Sequence, residues 1–224
     1  MALKAVVFDF DGTLVDTETG AYEAICSIYA EHGQELALEA WSVCIGTHGG
    51  FDPYVDLEQR TGKTLDKAEL RELFRNRHVE RLQSASLRPG VLDRLEEARR
   101  LGWKIGLASS SDRAWIEDHL SRQGIRDYFE VIRSSDDVKR VKPDPELYVL
   151  AAEALGVAPE EALAVEDSMN GLRAAKAAGL WGLAVPNPVT AQMDFGQADI
   201  FVDGLDRKTF AEIEAELQAR IVQK

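Results

Sequence analysis

The sequence predicts an α/β protein with a Rossmann-like, doubly wound parallel sheet as its core and an inserted α-helical cap domain. From residue 88 onward, the chain repeats a unit of helix, glycine, short apolar strand and polar loop. Such alternation is typical of a parallel sheet covered by helices on both faces. Between the first strand and this repeat, residues 17–86 show helical patterns and no convincing strand. We therefore expect residues 1–16 and 87–224 to form the core and residues 17–86 to form the cap.

The first predicted strand, Ala5–Phe8, is apolar and leads into two closely spaced carboxylates, Asp9 and Asp11. Side chains two residues apart on a strand share a face, and Gly12 allows the chain to turn there. Neighbouring carboxylates repel, so proteins retain them where a cation lies between them, where one holds a proton, or where they divide acid and nucleophile roles. An ordinary acidic turn is the alternative at this point.

Four helices are predicted in the cap segment from apolar residues that recur at helical spacing. A glycine-rich stretch at residues 45–53 separates the second helix from the third and predicts a loop. The predicted cap helices span residues 18–31, 36–43, 54–60 and 66–82.

Five further strands and five further helices are predicted in the rest of the chain. Four glycines follow predicted helices where a left-handed residue ends a helix, namely Gly102, Gly124, Gly156 and Gly179. The predicted strands span residues 103–108, 129–132, 162–165, 181–185 and 200–202. The predicted helices span residues 91–101, 113–123, 146–155, 172–178 and 210–222.

Polar side chains follow the predicted strands, at the sheet edge where ligands bind in doubly wound folds. Ser109 and Ser110 offer hydroxyl and backbone N–H groups at a helix start, which suits a phosphate, although a simple helix cap is equally consistent. Lys142 could offset the carboxylates of such a site, and a solvated surface lysine is the alternative.

Glu166 and Asp167 are two adjacent carboxylates at the end of a buried strand, where their desolvation is costly without a cation. With Asp9 and a carbonyl near Asp11 they would form an all-oxygen site, which suits Mg²⁺ better than Zn²⁺. The alternative is a helix start that places acidic groups at the positive end of the helix dipole.

The overall charge limits the possible partners. A net charge of −13 and a pI near 4.8 argue against nucleic acid or an anionic membrane as the main partner. The two cysteines lack metal-ligand spacing and suit a reducing compartment, and neither a signal peptide nor a long apolar run is recognised. We expect a cytoplasmic monomer that binds a small phosphorylated metabolite.

Together these motifs resemble the haloacid dehalogenase superfamily of phosphohydrolases, over essentially the whole chain. The matching motifs are Asp9–Leu14, Ala108–Ser111, Lys142–Pro143, and Glu166–Ser168 with Gly171. The helical insertion is similar to the cap of the β-phosphoglucomutase-like branch. Segments that fit this branch are residues 16–18, 45–47, 88–90 and 142–148.

The resemblance implies a role for each matching residue. Asp9 would be the nucleophile that takes the phosphoryl group, and Asp11 would protonate the leaving oxygen and later deprotonate water. The phosphoryl oxygens would be held by Ser109, Ser110 and Lys142. Mg²⁺ would be held by Asp9, the backbone carbonyl of Asp11, Glu166 and Asp167.

The choice between phosphatase and phosphohexomutase depends on the cap. Mutases that resemble this sequence carry a histidine in the first cap helix and an arginine in the glycine-containing cap loop. Here residues 18–21 contain no histidine and residues 46–50 contain no arginine. We therefore favour hydrolysis of a sugar phosphate, phosphoglycolate or a nucleotide, with a phosphohexomutase and a non-catalytic phosphate-binding protein as the alternatives.

Several cap residues are candidates for substrate contact. A lone loop histidine is more often simply exposed, and the cap arginines equally fit a solvated helix face. We expect the cap to open and close over the site about hinges near residues 15–17 and 86–89. The candidates are Thr17, Glu18, His48, Arg75 and Arg77.

Overall fold

The computed structural model describes residues 2–47, 49–83 and 85–222. His48, a predicted substrate contact, lies outside the described residues.

A six-stranded parallel sheet forms the core, with the strand order β3-β2-β1-β4-β5-β6. Strand β1 lies between β2 and β4, with Phe8 opposite Leu107 and Val165. The direction of winding therefore reverses at β1, and this switch point is where doubly wound sheets bind ligands. The strands are β1 (Ala5–Phe8), β2 (Lys104–Ala108), β3 (Val131–Arg133), β4 (Ala162–Glu166), β5 (Trp181–Ala184) and β6 (Ile200–Phe201).

Within the described ranges, five helices from the later part of the chain cover both faces of this sheet, and four earlier helices form the segment predicted to be the cap. The first four, which lie between β1 and β2 in the chain, are α1 (Thr17–Glu31), α2 (Leu38–Ser42), α3 (Pro53–Thr61) and α4 (Lys67–Leu82). The others are α5 (Val91–Arg100), α6 (Arg113–Arg122), α7 (Glu146–Leu155), α8 (Met169–Ala177) and α9 (Phe210–Val222). Short 3₁₀ helices occupy Arg126–Tyr128, Ser135–Asp137 and Pro159–Glu161.

The alternation of side chains along β1 explains the two layers of helices. Val6 and Phe8 pack in one apolar cluster with residues of α5, α6 and α9. Ala5 and Val7 point to the opposite face, where they pack with α7 and α8. Because both faces are covered, the strand is apolar at every position. The predicted fold class is confirmed.

Helices α1 to α4 pack around an apolar cluster of their own, which includes Tyr29, Trp41 and Leu57. The entry and exit of this helical segment lie side by side, because Val15 forms an antiparallel bridge with Leu87. The domain boundaries at residues 16/17 and 86/87 stay a prediction.

Three elements have a boundary that lies two or more residues from the predicted one. Helix α8 begins at Met169 rather than residue 172, because the Ser168 hydroxyl caps it by accepting from Gly171 N at 3.1 Å. Helix α2 is shorter than predicted, and β3 begins two residues later, at Val131. The left-handed glycines at helix ends are confirmed for Gly102, Gly124, Gly156 and Gly179.

Gly90 should be essential to the packing of α5. Its φ is +83°, and an added Cβ would lie 2.3 Å from the backbone nitrogen of Asp206. We expect Gly90→Ala to lower the free energy of unfolding by about 3 kcal/mol, since it adds a backbone clash to the left-handed strain. Gly102→Ala is the matched control, because its φ is +72° with nothing within 4 Å. It should cost about 1 kcal/mol in urea unfolding, and equal costs for the two variants would contradict this account.

Candidate active site

Asp9 lies at the switch point of the sheet, directly after β1. Its backbone N–H donates to Val165 O at 2.9 Å, and its side chain is only 8% exposed. Asp9 Oδ1 accepts a hydrogen bond from Lys142 Nζ at 2.5 Å. Among the described residues no other hydrogen bond reaches this carboxylate, so Oδ2 is open to a reacting atom or a cation.

Lys142 joins the two strand ends that carry the carboxylates. Its side chain is 1% exposed, and Nζ also donates to Glu166 Oε1 at 2.6 Å. Burial by itself would lower the pKa of Lys142, but the charges of Asp9 and Glu166 raise it above its usual value. An ammonium group has three donors, so one remains for a further acceptor.

Glu166 is held rigidly by its neighbours. Its Oε1 accepts a second hydrogen bond from the Tyr148 hydroxyl at 2.5 Å, and its Oε2 accepts from the Ser168 hydroxyl at 3.2 Å. A Cβ at Gly171 would lie 1.9 Å from Glu166 Oε1. The missing side chain at Gly171 therefore leaves the space that this carboxylate fills.

Asp167 is a buried carboxylate that no cation pairs within the described residues. Its Oδ2 accepts from Asn187 Nδ2 at 2.6 Å, and its Oδ1 accepts weakly from the Thr13 hydroxyl at 3.4 Å. Burial, and then the charges of Asp9 and Glu166, raise the pKa of Asp167 well above its usual value. Ionised Asp167 therefore needs further positive charge nearby.

Asp9, Glu166 and Asp167 form a cluster that fits a divalent cation. One carboxylate oxygen from each residue lies within 4.8 Å of one from each of the other two, and all three residues are buried. Three carboxylates face one ammonium, that of Lys142, so the cluster carries excess negative charge. Burial is the largest cause that raises the pKa of Asp9, to about 7. Oxygen donors with uncompensated charge suit a hard cation such as Mg²⁺.

Asp11 lies apart from that cluster, on the wall of a cavity. Its carboxylate accepts three hydrogen bonds, from Thr17 Oγ1 at 2.9 Å, Ser111 Oγ at 2.5 Å and Trp115 Nε1 at 3.0 Å. These partners come from α1, from the loop after β2 and from α6. The carboxylate is therefore fixed by both the helical segment and the core.

The cavity, of about 460 Å³, lies between the strand ends and the helical segment. Its volume suits a small metabolite rather than a polymer. Its lining residues are Asp9, Asp11, Thr17, Glu18, Ala21, Trp41, Cys44, Ile45, Gly46, Thr47, His78, Ser109, Ser110, Ser111, Asp112, Trp115 and Ser135.

The serines after β2 line the cavity in different ways. The Ser109 hydroxyl accepts from Ser111 N at 3.0 Å. The Ser110 hydroxyl instead donates to Gly46 O of the cap loop at 3.1 Å. The structure thus places Ser109 beside the strand end that carries Asp9, while Ser110 contacts the cap loop.

The predicted cap contacts divide into two groups. Thr17 and Glu18 line the cavity. Arg75 is exposed and Arg77 pairs with Glu31 and the Ser27 hydroxyl. The structure therefore does not bring either arginine to the described lining of the cavity.

Sequence reasoning missed two aromatic residues of the cavity. The ring of His78 in α4 lies against the ring of Trp115 in α6, with 5.7 Å between the ring centroids. His78 Nε2 lies 3.0 Å from Thr17 O. Burial lowers the pKa of His78, which favours its neutral form. His78 carried no local signal, because its position depends on how α4 packs. Trp115, four residues beyond the Ala108–Ser111 motif, could have been noticed as a large side chain in the first turn of a helix at a strand end.

Sequence reasoning also missed the residues that hold the acidic cluster. Asn187 binds Asp167, and its Oδ1 accepts from the backbone N–H groups of Val189 and Thr190. Asn187 lies between two prolines directly after a strand, and this position could have indicated a polar residue of the site. Tyr148 has the spacing of a core residue on α7. The sequence therefore does not distinguish it from a residue that only fills the core.

Comparison with known proteins identifies the class. Residues 3–179 match the family model for hydrolases of the haloacid dehalogenase-like type. The protein therefore belongs to the haloacid dehalogenase-like hydrolases, and it is an enzyme of the phosphoric monoester hydrolase type.

Individual relatives agree with this assignment. YhcW of Bacillus subtilis (strain 168), a candidate phosphatase by name, is 51% identical over 197 residues, covering 88% of this chain and 90% of its own. The phosphorylated carbohydrates phosphatase of Thermotoga maritima is 34% identical over 188 residues, covering 80% and 82%. The crystal structure of a mutant of Rhodobacter sphaeroides CbbY with xylulose-(1,5)bisphosphate has a TM-score of 0.75 and 32% identity, covering 95% and 99%.

Within the described residues, every helix is too short or too polar to cross a membrane.

The Tyr148 hydroxyl should contribute to stability through Glu166. We expect Tyr148→Phe to lower the free energy of unfolding by about 1–2 kcal/mol, because a buried hydrogen bond to a charged group is lost. Tyr128→Phe is the control, since the half-buried Tyr128 ring stacks under Arg99 and its hydroxyl makes no hydrogen bond within the described residues. Its cost should stay within about 0.5 kcal/mol, and similar urea midpoints for both variants would contradict the role of Tyr148.

Proposed function

We propose that the protein is a Mg²⁺-dependent phosphatase that hydrolyses a small phosphomonoester through an aspartyl-phosphate intermediate. The observation that carries this proposal is the separation of two aspartates. Asp9 is buried at the switch point with one oxygen held by Lys142, whereas Asp11 faces the cavity and is held by three neutral donors. This arrangement supports a nucleophile and a separate acid/base group.

In the first step, Asp9 Oδ2 attacks phosphorus and the ester oxygen leaves. Asp11, in its protonated form, gives its proton to that oxygen, so the products are the alcohol and aspartyl phosphate. In the second step, Asp11 takes a proton from water, which attacks phosphorus and releases phosphate with regeneration of Asp9. Both displacements use the same pair of side chains.

The remaining groups of the site would bind the phosphoryl oxygens or offset the negative charge of the site. Lys142 has a free donor for a phosphoryl oxygen, and Ser109 and Ser110 lie at the start of the polar loop after β2. Asp9 and Asp167, with Glu166 and the backbone carbonyl of Asp11, would hold Mg²⁺. When bound, the ion reduces the repulsion between an anionic nucleophile and an anionic phosphate.

The substrate is proposed to be a phosphorylated sugar or a similar small metabolite. The Thermotoga relative is named for phosphorylated carbohydrates, and the Rhodobacter structure contains a sugar bisphosphate. The cavity volume is consistent with such molecules. A cytoplasmic location and a monomeric state stay predictions from the sequence.

Asp9→Asn should abolish turnover, because an amide is a poor nucleophile. Phosphate release from p-nitrophenyl phosphate and β-glucose 1-phosphate, measured with Mg²⁺, should fall at least about a thousandfold. Asp93→Asn, on the exposed face of α5, is the control and should keep full activity. An active Asp9→Asn enzyme would overturn the nucleophile assignment, and formation of glucose 6-phosphate by the wild type would favour the mutase.

Mg²⁺ should stabilise the folded protein as well as activate it. We expect a rise in melting temperature of about 5 °C at saturating Mg²⁺, since the ion binds the folded state. EDTA should reverse both effects. Asp167→Asn should lose this thermal shift while the metal-free variant is at least as stable as the wild type, because a buried unpaired charge is removed. A wild-type protein that is indifferent to Mg²⁺ would remove the proposed metal site.

Trp115 should act as a positioning residue for Asp11. Trp115→Phe keeps an aromatic ring but removes the N–H that binds Asp11, so we expect kcat to fall about tenfold with little change in KM. Trp181→Phe is the matched control, since Trp181 Nε1 donates to Glu160 O away from the cavity. An unchanged kcat in Trp115→Phe, or a fall in kcat/KM that comes from KM alone, would contradict this role.

A further inference from the structure

The cavity contains an acidic group that the proposed mechanism does not use. Glu18 lies in the first turn of α1 and lines the cavity wall that the helical segment contributes. Within the described residues its carboxylate makes no hydrogen bond and no ion pair. A cavity-facing carboxylate without a partner can accept hydrogen bonds from a bound molecule.

The surroundings of Glu18 are negative. Burial, and then the charges of Asp11, Asp9 and Asp16, raise the pKa of Glu18 to about 8, so its carboxylate is anionic only above about pH 8. Asp112 also lines the cavity. A second anionic group on the substrate would therefore enter a region that already repels negative charge.

No lysine or arginine occurs among the described lining residues of the cavity. Lys142 contacts the lining residue Asp9 and is assigned to the transferring phosphoryl group, and three arginines of neighbouring segments have other partners. Arg88 donates to the carbonyls of Gly12, Val185 and Pro186. Arg113 pairs with Asp137, and Arg77 pairs with Glu31.

The neutral part of the wall is suited to a sugar. Trp41 and Trp115 offer aromatic surface, and Thr47 and Ser111 offer hydroxyl groups. His78 faces the same space and is held neutral by burial. Such a mixture of flat apolar and uncharged polar groups favours a polyhydroxylated ligand over an ionic one.

We propose that Glu18 selects substrates whose leaving group is an uncharged polyol, by accepting hydrogen bonds from its hydroxyls, and that the same residue excludes leaving groups with a second phosphate or a carboxylate. This inference rests on the proposed phosphatase function. It predicts that the enzyme prefers sugar monophosphates to phosphoglycolate and to bisphosphates such as the ligand of the Rhodobacter structure.

Two matched substrate pairs test the selectivity. 2-Hydroxyethyl phosphate and phosphoglycolate differ only in a CH₂OH group against a carboxylate, and glucose 1-phosphate and glucose 1,6-bisphosphate differ by one phosphate. With Mg²⁺ at about pH 9, where Glu18 is ionised, we expect kcat/KM to be at least about tenfold higher for the uncharged member of each pair. Phosphoglycolate or the bisphosphate as the equal or better substrate would overturn the proposal.

The variant Glu18→Gln tests the residue. It keeps the size of the side chain and removes the negative charge that Glu18 carries at about pH 9, so the preference for the uncharged member at that pH should fall at least about threefold. Glu72→Gln changes the same charge on an exposed position of α4 and should leave the preference as in the wild type. A ratio in Glu18→Gln that equals the wild-type ratio would overturn the role of Glu18.

p-Nitrophenyl phosphate separates this inference from the proposed function. Release of phosphate from this compound, with no preference between the paired substrates, would overturn the selectivity while the phosphatase function stands. A wild-type enzyme that releases phosphate from none of the five compounds would overturn the phosphatase function and this inference with it.

Discussion

The arrangement of the site depends on one buried ammonium group. Lys142 is held between Asp9 and Glu166, whose strands are neighbours in the sheet. Without it, two desolvated carboxylates would repel each other at the switch point, at a cost that a strand end could not tolerate. The lysine offsets only part of the charge of the cluster, which leaves Asp167 dependent on a further cation. A structural ion pair and a candidate metal site are therefore parts of one electrostatic arrangement.

A second set of contacts connects the core to the helical segment. Asp11 is held by Thr17 at the start of α1 and by Ser111 and Trp115 of the core. His78 of α4 stacks on the same tryptophan. The cap loop also contributes, because its carbonyls accept from Ser110 and Asn170. Movement of the cap would thus change the surroundings of Asp11 directly, and it would link closure over a substrate to the orientation of the proposed acid/base group.

The fold class and the acidic residues were accessible from the sequence because both are encoded locally. A buried parallel strand is apolar throughout, a helix end uses a left-handed glycine, and polar residues at strand ends meet at one edge of the sheet. These local patterns predict that Asp9, Lys142, Glu166 and Asp167 meet at this edge of the sheet, and the structure brings them together there. The start of α8 was misplaced by three residues, since a helix cap such as Ser168 depends on hydrogen bonds that periodicity does not describe.

The tertiary structure alone decided which partners each of these groups has. Asp11 and Trp115 are 104 positions apart, Asp167 and Asn187 are 20 apart, and Arg77 pairs with Glu31, away from the described lining of the cavity. His78 belongs to the cavity only because α4 packs against α1. Residue type and local spacing thus determined which chemical groups reach the sheet edge. Packing between distant segments determined their neighbours and burial, because hydrogen bonds and desolvation depend on distances in space rather than along the chain.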